Sequence, residues 1–503
     1  MKLFAAAVNI HDHNTYDGEL HYMAERYTRR KHNLNSKNAH DPTYSRDFFN
    51  DHILPRYKNR TSDEVFCFTV SNLGQQFVID IIEDNFSSKK FLDFKPNKLW
   101  DYLQTDDYYY IDHHQSHAAY AFLSSDFEES DILAIDGRGW QFNCIFVDKY
   151  GNITDLTKKL SIGGLWNRLS QDIGFSYLGA GKTMGLAGFG GYNPDIHKMI
   201  DRYLENANDR LPEEDKKLVK SVPAEDVAYT LQMLTEILIK EHVLPLKTSD
   251  NLCVAGGVAY NGYANEELTK HYKNVHVPPA AGDEGQAIGT YMHADYVLNN
   301  SRHVPTVYAG KEHAIDKELF IELNYKKLPF DKLATQVADA IANGSIVGWY
   351  QGKSESGNRA LGNRSILADP RNPNIKNIIN SKIKLREDFR PFAPSVLEEH
   401  YKDYFDTNQA SPYMSRIMPV TSDAIPGVTH VDGTARIQTV TKDFNKRYYT
   451  LIKEFYKLTG IPMLLNTSFN CQEPIVETPE DAIATFKKCG LDILVIGDYV
   501  IRK

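Results

Sequence analysis

Two histidines and two aspartates in the N-terminal half of the chain have the types and spacing of a metal site. His113 and His117 are four residues apart, so in a helix both imidazoles stand on one face. Asp136 ends an apolar run, and Asp283 lies between two glycines. Two imidazoles with two carboxylates suit a divalent metal such as iron, manganese or zinc. Core packing of the histidines and turn capping by the aspartates are the alternative explanation.

A glycine-rich segment at residues 181–187 carries Lys182 and Gly185. It does not fit the P-loop pattern, because Ser176 stands where that pattern requires its first glycine. The segment still indicates a loop whose amides and ammonium group contact a nucleotide. A structural loop without a ligand is the alternative.

A second glycine turn joins an apolar strand to a helix. Gly256 and Gly257 follow the strand predicted at residues 252–255, and Asn261 comes shortly after them. The first amides of such a helix point at whatever lies at the strand end, which favours a phosphate or a ribose. A packing turn would explain the same residues without a ligand.

Cations concentrate in two short runs of the C-terminal part of the chain. Guanidinium groups bind phosphate oxygens through paired hydrogen bonds, so these runs indicate an anion site. A polar turn after an apolar strand could add hydroxyl and amide ligands. The candidates are Arg359, Arg364, Lys384, Arg390, Ser468 and Asn470.

Length and charge limit the classes of protein to consider. The 503 residues predict about two or three domains. A formal net charge of −9 means that a nucleic-acid partner would need a local basic groove. No run approaches the ~18 apolar residues of a membrane span, and the N-terminus is typical of a first strand rather than a signal peptide. Five widely separated cysteines indicate reduced thiols, so we expect a cytoplasmic protein with no membrane partner.

Alternating strand and helix patterns predict the elements that position these residues. The pattern indicates a mixed α/β fold with sites at strand ends, and residues 298–328 are expected to link two large units. The predicted strands are 3–8, 65–70, 108–111, 132–135, 252–255, 346–350 and 462–465, with hairpins turning at 148–152 and 497–498. The predicted helices are 115–123, 195–206, 224–241, 330–342 and 479–488.

Taken in order, the motifs resemble the O-carbamoyltransferases of nodulation-factor, cephamycin and tobramycin-type aminoglycoside pathways. The resemblance runs along nearly the whole chain and includes His11-Asp12 and the segments 25–32 and 430–438. It implies an α/β protein with an N-terminal actin-like (ASKHA) two-lobed domain at 1–310 and a C-terminal YrdC-like α/β domain at 311–503. The N-terminal domain is also similar to the protein that makes threonylcarbamoyl-adenosine in tRNA.

The resemblance implies an ATP-dependent carbamoyltransferase. The YrdC-like domain would convert carbamoyl phosphate and ATP, with Mg, into carbamoyl-adenylate and pyrophosphate, and the N-terminal domain would pass the carbamoyl group to an acceptor hydroxyl. Carbamoyl phosphate and ATP would be held by Arg359, Lys384 and Arg390, with Arg364, Ser468 and Asn470 as weaker candidates.

The same resemblance assigns roles in the transfer step. His113, His117, Asp136 and Asp283 would bind the metal, with iron preferred over manganese or zinc. His11 would deprotonate the acceptor hydroxyl, and Lys31 would orient the carbamoyl oxygen. Lys182, Gly185, Gly256, Gly257 and Asn261 would contact the nucleotide.

The chain departs from the family pattern in a few places. Ser356 and Asn358 replace the usual Phe and Pro, Ala180 stands near the usual position of an acidic residue, and residues 13–17 replace small residues. We expect residues 13–17 to face the acceptor. The acceptor itself stays open: a sugar, a natural-product alcohol, or a hydroxymethyl pyrimidine, with nucleic acid a partner only in that role.

Two alternatives to this function remain. One is threonylcarbamoyl transfer to tRNA adenosine, which uses similar domains. The other is a nucleotide-binding regulatory module without turnover. A homodimer is also an open possibility.

Overall fold

A computed structural model describes residues 1–8, 12–29, 49–70, 90–137, 139, 141–206 and 211–503. The chain divides into two compact units, Met1–Thr306 and Val307–Lys503. The expected linker at 298–328 is wrong for residues 307–328, which belong to the second unit. There the strand Asn324–Lys327 pairs antiparallel with the strand Tyr499–Arg502.

The first unit contains two sheets with related strand orders. Its strands in the described residues are β1 Lys2–Val8, β2 Asn14–Tyr16, β3 His21–Met23, β4 Glu64–Val70, β5 Leu103–Gln104, β6 Tyr109–Tyr110, β7 Asp131–Ile135, β8 Cys144–Val147, β9 Ile153–Asp155, β10 Asn251–Ala255 and β11 Asn274–His276. One sheet has the order β3-β2-β1-β4-β6-β5 and the other β11-β10-β7-β8-β9. In each, three antiparallel strands continue into two parallel ones, and the first sheet ends with β5 antiparallel to β6. This repeat agrees with the predicted α/β class and with a domain built from two related halves.

In the first unit, the helix His113–Leu123 packs against β7 and β10, and the helix Gln286–Asn299 packs against β1 and β4. The α-helices in the described ranges are Ala24–Thr28, Leu54–Lys58, His113–Leu123, Ile162–Asp172, Ala180–Ala187, Pro194–Asn206, Glu213–Ser221, Ala224–Val243, Gly262–Leu268 and Gln286–Asn299. Short π or 3-10 turns occur at Phe49–Ile53, Lys90–Asp93, Leu244–Leu246, Gly257–Tyr260 and Asp283–Gly285.

One predicted loop is a helix. Residues Ala180–Ala187 form an α-helix that packs against the helix Ala224–Val243. It buries Thr183 and Ala187. This tertiary burial outweighs the low helix propensity of its two glycines.

The second unit is built on one mixed sheet. Its strands in this described part are β12 Asn324–Lys327, β13 Val347–Tyr350, β14 Arg364–Ala368, β15 Ala393–Leu397, β16 Ile417–Pro419, β17 Thr434–Arg436, β18 Gln438–Val440, β19 Met463–Ser468, β20 Ile493–Ile496 and β21 Tyr499–Arg502. The main sheet has the order β12-β21-β20-β13-β14-β19-β15-β18, and β16 pairs with β17.

The α-helices of the second unit are Phe330–Ala342, Ile375–Ile379, Lys446–Thr459 and Pro479–Lys488, with π or 3-10 turns at Lys317–Phe320, Asn380–Lys384 and Glu398–Asp403. The first and third of these helices pack against each other. One large apolar core lies between the helices and the sheet. The helices predicted at 330–342 and 479–488 are confirmed in full.

The chain's cysteines are buried and form no disulfide, as expected for reduced thiols. Among the described helices, none combines the length and the hydropathy needed to cross a bilayer.

Candidate functional site

The structure brings together the four residues that the sequence singles out as metal ligands. One ligand atom from each of His113, His117, Asp136 and Asp283 lies within 4.8 Å of the others. Nε2 of His113 is 2.9 Å from Oδ2 of Asp136 and 3.3 Å from Oδ1 of Asp283. Nε2 of His117 lies 3.3 Å and 3.5 Å from the same two oxygens. Two imidazole nitrogens and two carboxylates converge on one small volume, which fits a divalent metal of borderline hardness.

The helix that carries both histidines has a firmly fixed first turn. Asp112 caps it by accepting a 2.8 Å hydrogen bond from the amide of His114. Oε1 of Gln115 accepts from the amide of Asp112, which completes a capping box. Nε2 of Gln115 also donates to three carbonyls of residues 98–101. His113 therefore projects from a rigid helix start.

Asp136 is oriented by backbone amides on two loops. Its Oδ1 accepts hydrogen bonds from the amides of Gly137 at 2.7 Å and Gly257 at 3.0 Å. A Cβ at Gly257 would lie 2.8 Å from this Oδ1, so a side chain there would displace the carboxylate. Oδ2 is thereby left to face the two histidines. The turn at Gly256 and Gly257 was expected to hold a phosphate. In the structure, the amide of Gly257 instead positions Asp136, a candidate metal ligand.

Asp283 reaches the histidines because two helices pack closely. Ser116 Oγ donates to the carbonyl of Gln286 at 2.7 Å, and Gln286 Nε2 donates to the carbonyl of His113 at 3.2 Å. A Cβ at Gly289 would lie 2.1 Å from the Ser116 carbonyl oxygen. Glycine at this crossing thus allows the helix after Asp283 to lie against the histidine helix.

The charges in the cluster are mutually balanced. Burial pulls the pKa of His113 down, but the Asp283 and Asp136 carboxylates outweigh it and raise this pKa to about 10. Burial also lowers the pKa of His117, but its hydrogen bonds to Asp136 and Asp283 outweigh burial, so that this pKa is raised. Burial disfavours ionised Asp136, yet hydrogen bonds from both histidines hold its pKa well below the usual range. Protons on the histidines offset the carboxylates here, and a divalent cation can take over that role.

Residues 13–17 are buried except for Asp17, which is exposed. Asn14 Nδ2 donates to the carbonyls of Asp12 and Asp283, both at 2.8 Å, and Tyr16 donates to the carbonyl of Gly18 at 2.7 Å. That this stretch faces the acceptor stays a prediction from the resemblance.

The remaining nucleotide candidates of the first unit occupy helix positions. Lys182 and Gly185 lie on the helix Ala180–Ala187, with the Lys182 ammonium 5.6 Å from the ring centroid of Phe175. Asn261 caps the next helix through the amide of Ala264 at 3.1 Å, and its side chain also pairs with Gln232. Asn261 is thus occupied by structural bonds.

His11 and Lys31, the predicted base and carbamoyl-orienting residue, lie outside the described residues. Their roles stay predictions from the resemblance.

In the second unit, Lys384 joins two other candidates. Its buried ammonium donates to the carbonyl of Ser468 at 2.6 Å, the carbonyl of Asn470 at 2.9 Å and Oδ1 of Asn470 at 2.7 Å. Ser468 Oγ lies 3.3 Å from the same nitrogen. Lys384 therefore fixes the turn that follows β19 as well as placing a positive charge there.

Arg364 is used internally. Its buried guanidinium donates to the carbonyls of Gln351 at 2.7 Å, Gly352 at 3.0 Å and Asn363 at 3.0 Å. It also lies 3.6 Å from the ring centroid of Tyr350, a cation–π contact. These contacts give Arg364 a structural role in the strand end.

Glu355 is a residue of this region that the sequence analysis missed. Its buried Oε1 accepts hydrogen bonds from the amides of Leu361 at 2.8 Å, Asn363 at 2.8 Å and Arg364 at 3.1 Å. The loop that carries the half-buried Arg359 is wrapped around this carboxylate. A lone acid within a basic, glycine-rich run was the signal for such an anchor.

Arg386 and Arg390 place two guanidinium groups near each other. Burial lowers the pKa of Arg390, and burial together with the charge of Arg390 lowers the pKa of Arg386 to about 9. Glu387 lies 3.9 Å from Arg390, and Asn380 Oδ1 accepts from Arg386 at 2.8 Å. A bound anion would relieve the repulsion between these cations.

Comparison with known proteins gives the family. Residues 40–292 match the carbamoyltransferase N-terminus and residues 338–503 match the carbamoyltransferase C-terminus. Nodulation protein NolNO of Sinorhizobium fredii is 36% identical over 78% of this chain, which spans 64% of that relative. Nodulation protein NolO of Bradyrhizobium diazoefficiens is 35% identical over 78% of this chain and 79% of its own length.

A relative with a named reaction also matches. The 3'-hydroxymethylcephem-O-carbamoyltransferase of Streptomyces clavuligerus is 31% identical over 64% of this chain and 65% of its own length. The two family matches together cover most of the sequence, in the order of the two units. The chain therefore belongs to the carbamoyltransferase family.

Proposed function

We propose that this protein is an ATP-dependent O-carbamoyltransferase that works in two steps, one in each unit. The single observation that supports this best is the convergence of His113, His117, Asp136 and Asp283 in one unit. A separate group of cations lies in the other unit, which suits an anionic substrate. We therefore assign adenylate formation to the unit of residues 307–503 and transfer to the unit of residues 1–306.

In the first step, carbamoyl phosphate and Mg-ATP give carbamoyl-adenylate. Water releases inorganic phosphate from carbamoyl phosphate, and an oxygen of the resulting carbamate attacks the α-phosphorus of ATP, so that pyrophosphate leaves. Arg359 and Arg390 would hold phosphate oxygens and offset the charge on the departing groups. Lys384 would add charge while fixing the turn with Ser468 and Asn470.

In the second step, an acceptor hydroxyl oxygen attacks the carbamoyl carbon and AMP leaves. A divalent metal held by the four-residue cluster would supply Lewis-acid polarisation of the carbamoyl carbonyl, and iron is our first choice. His11 would take the hydroxyl proton, and Lys31 would orient the carbamoyl oxygen. Asp136, fixed by two amides, would keep the metal in one place.

The acceptor is proposed to be an alcohol on a small molecule. This rests on the hydroxymethyl group in the name of the Streptomyces clavuligerus relative. A hydroxymethyl pyrimidine, free or in a nucleic acid, belongs to the same chemical class.

Turnover measurements test this function. Incubation with carbamoyl phosphate, Mg-ATP and a panel of alcohols should give AMP, pyrophosphate and phosphate in equal amounts, together with a product heavier by one carbamoyl group. Asp136→Asn should stop product formation, whereas Arg502→Ala, an exposed change at the end of β21 in the other unit, should not. Release of pyrophosphate with bicarbonate and threonine, but not with carbamoyl phosphate, would favour threonylcarbamoyl transfer instead.

A further inference from the structure

Asn14 connects the first sheet to the loop that carries Asp283. It lies in β2 and is fully buried. Its Nδ2 donates to the carbonyl of Asp283 at 2.8 Å, and its Oδ1 accepts from the amide of Ala287 at 2.8 Å. One side chain therefore holds the backbone at Asp283, where the short turn begins, and at Ala287, in the helix that follows it.

The two carboxylates of the cluster are held in different ways. Asp136 is oriented directly, since its Oδ1 accepts two backbone amides. Among the described residues, no backbone amide donates a hydrogen bond to the Asp283 carboxylate. Its position depends instead on the backbone of its turn. A second contact comes from β3, which pairs with β2. His21 Nε2 lies 2.7 Å from the carbonyl oxygen of Glu284, the residue after Asp283.

We propose that Asn14 is a positioning residue for the metal centre, which fixes Asp283 against His113 and His117. This rests on the proposed metal site. An asparagine suits the role because one amide group both donates twice and accepts once. Aspartate has no donor when ionised, and serine is too short to span the three partners.

Loss of such a supporting hydrogen bond typically costs 10–100-fold in metal affinity. The test compares the full-length wild-type protein with the Asn14→Ser and Asn14→Asp variants. The probe is Mn(II) alone, titrated by calorimetry, and the visible spectrum of bound Co(II) reports coordination. We expect Mn(II) binding to weaken about 10–100-fold in both variants, with an altered Co(II) spectrum.

The matched control is Asn445→Ser in the other unit. Asn445 also makes three side-chain hydrogen bonds, donating to Tyr308 and Asn363 and accepting from the amide of Tyr448. Its variant should bind Mn(II) as the wild type does. Equal loss in this control, or wild-type affinity and spectrum in a folded Asn14 variant, would overturn the proposal.

A measurement on the unaltered protein covers the case in which the Asn14 variants fail to fold. If Asn14 positions the metal ligand, metal binding should in turn stabilise the hydrogen bonds of Asn14, because coupling between two sites is reciprocal. Mn(II) binding should therefore slow hydrogen exchange at the amide of Ala287, which donates to Asn14 Oδ1. Unchanged exchange there on saturation with Mn(II) would contradict the link. A wild-type protein that binds no Mn(II), Co(II) or Fe(II) would instead contradict the proposed metal site itself.

Discussion

The amide of Gly257 donates a 3.0 Å hydrogen bond to Oδ1 of Asp136. This bond turns the other carboxylate oxygen, Oδ2, towards His113, 2.9 Å from its Nε2. A glycine turn at the end of one strand thus orients a ligand candidate at the end of the neighbouring strand. The ends of β7 and β10 and the helix His113–Leu123 are therefore linked through the Asp136 carboxylate.

Gly257→Ala should weaken metal binding. Its Cβ would lie 2.8 Å from Oδ1 of Asp136, so the carboxylate must move away from its present orientation. We expect Mn(II) affinity to fall about 10–100-fold by calorimetry. Gly181→Ala is the control, because a Cβ there meets nothing within 4 Å. Unchanged affinity in Gly257→Ala would show that this amide does not position the ligand.

Metal affinity should rise with pH. The two carboxylates raise the pKa of His113 to about 10 in the metal-free protein, so a proton must leave before its Nε2 can bind a metal. Below that pKa, one released proton strengthens binding by up to about tenfold per pH unit. Mn(II) titrations between about pH 6.5 and 8.5 check this. Affinity that is flat or falls over this range would contradict the assignment of His113.

Substitutions at Lys384 and Arg390 should both lower activity, but only the one at Lys384 should lower stability. Lys384→Met leaves several buried oxygens without their donor, and should cost about 2–3 kcal/mol of unfolding free energy as well as activity. Arg390 is half-buried and lies 3.9 Å from Glu387, so Arg390→Ala should not lower Tm. It should lower adenylate formation about 100-fold or more, because the guanidinium would offset the charge on the departing groups.

Lys382→Met, an exposed change in the same turn, is the control for both variants. It should alter neither Tm nor activity. If Lys384→Met kept wild-type stability, the contacts of its ammonium would not anchor the turn after β19.

Stability should fall as the pH drops from neutral. Burial lowers the pKa of each of four described histidines to about 4, namely His21, His276, His293 and His430. The unfolded chain takes up these protons near about pH 6.5, before the folded one does, so acid favours unfolding. Urea midpoints at about pH 7, 6 and 5 should decrease in that order. Equal midpoints would mean that these histidines are not held neutral.

The sequence predicted the ligand cluster because local rules were sufficient for most of it. Four-residue spacing places His113 and His117 on one helix face, and Asp136 follows directly from the end of β7. The approach of Asp283 could not be predicted, since it depends on how Gly289 meets Ser116 across two helices distant in sequence. Only tertiary packing fixes that distance.

Two errors have similar physical causes. Glycines in residues 181–187 indicated a loop, but packing against Ala224–Val243 stabilises a helix there. β12 was predicted as linker because residues 298–328 lack strong periodicity, and in the structure its four residues are all exposed. It is a strand only because β21 offers its edge for pairing. The role of Asn14 was hidden for the same reason, since its partners lie far along the chain.

The decisive measurement for a two-step transfer is carbamoyl phosphate-dependent exchange of labelled pyrophosphate into ATP. We expect exchange in the wild type without any acceptor, because adenylate formation is reversible and precedes transfer. Asp136→Asn should keep this exchange and lose product formation, and Arg390→Ala should lose both. No exchange in the wild type, or loss of exchange in Asp136→Asn, would contradict a two-step carbamoyl transfer divided between the two units.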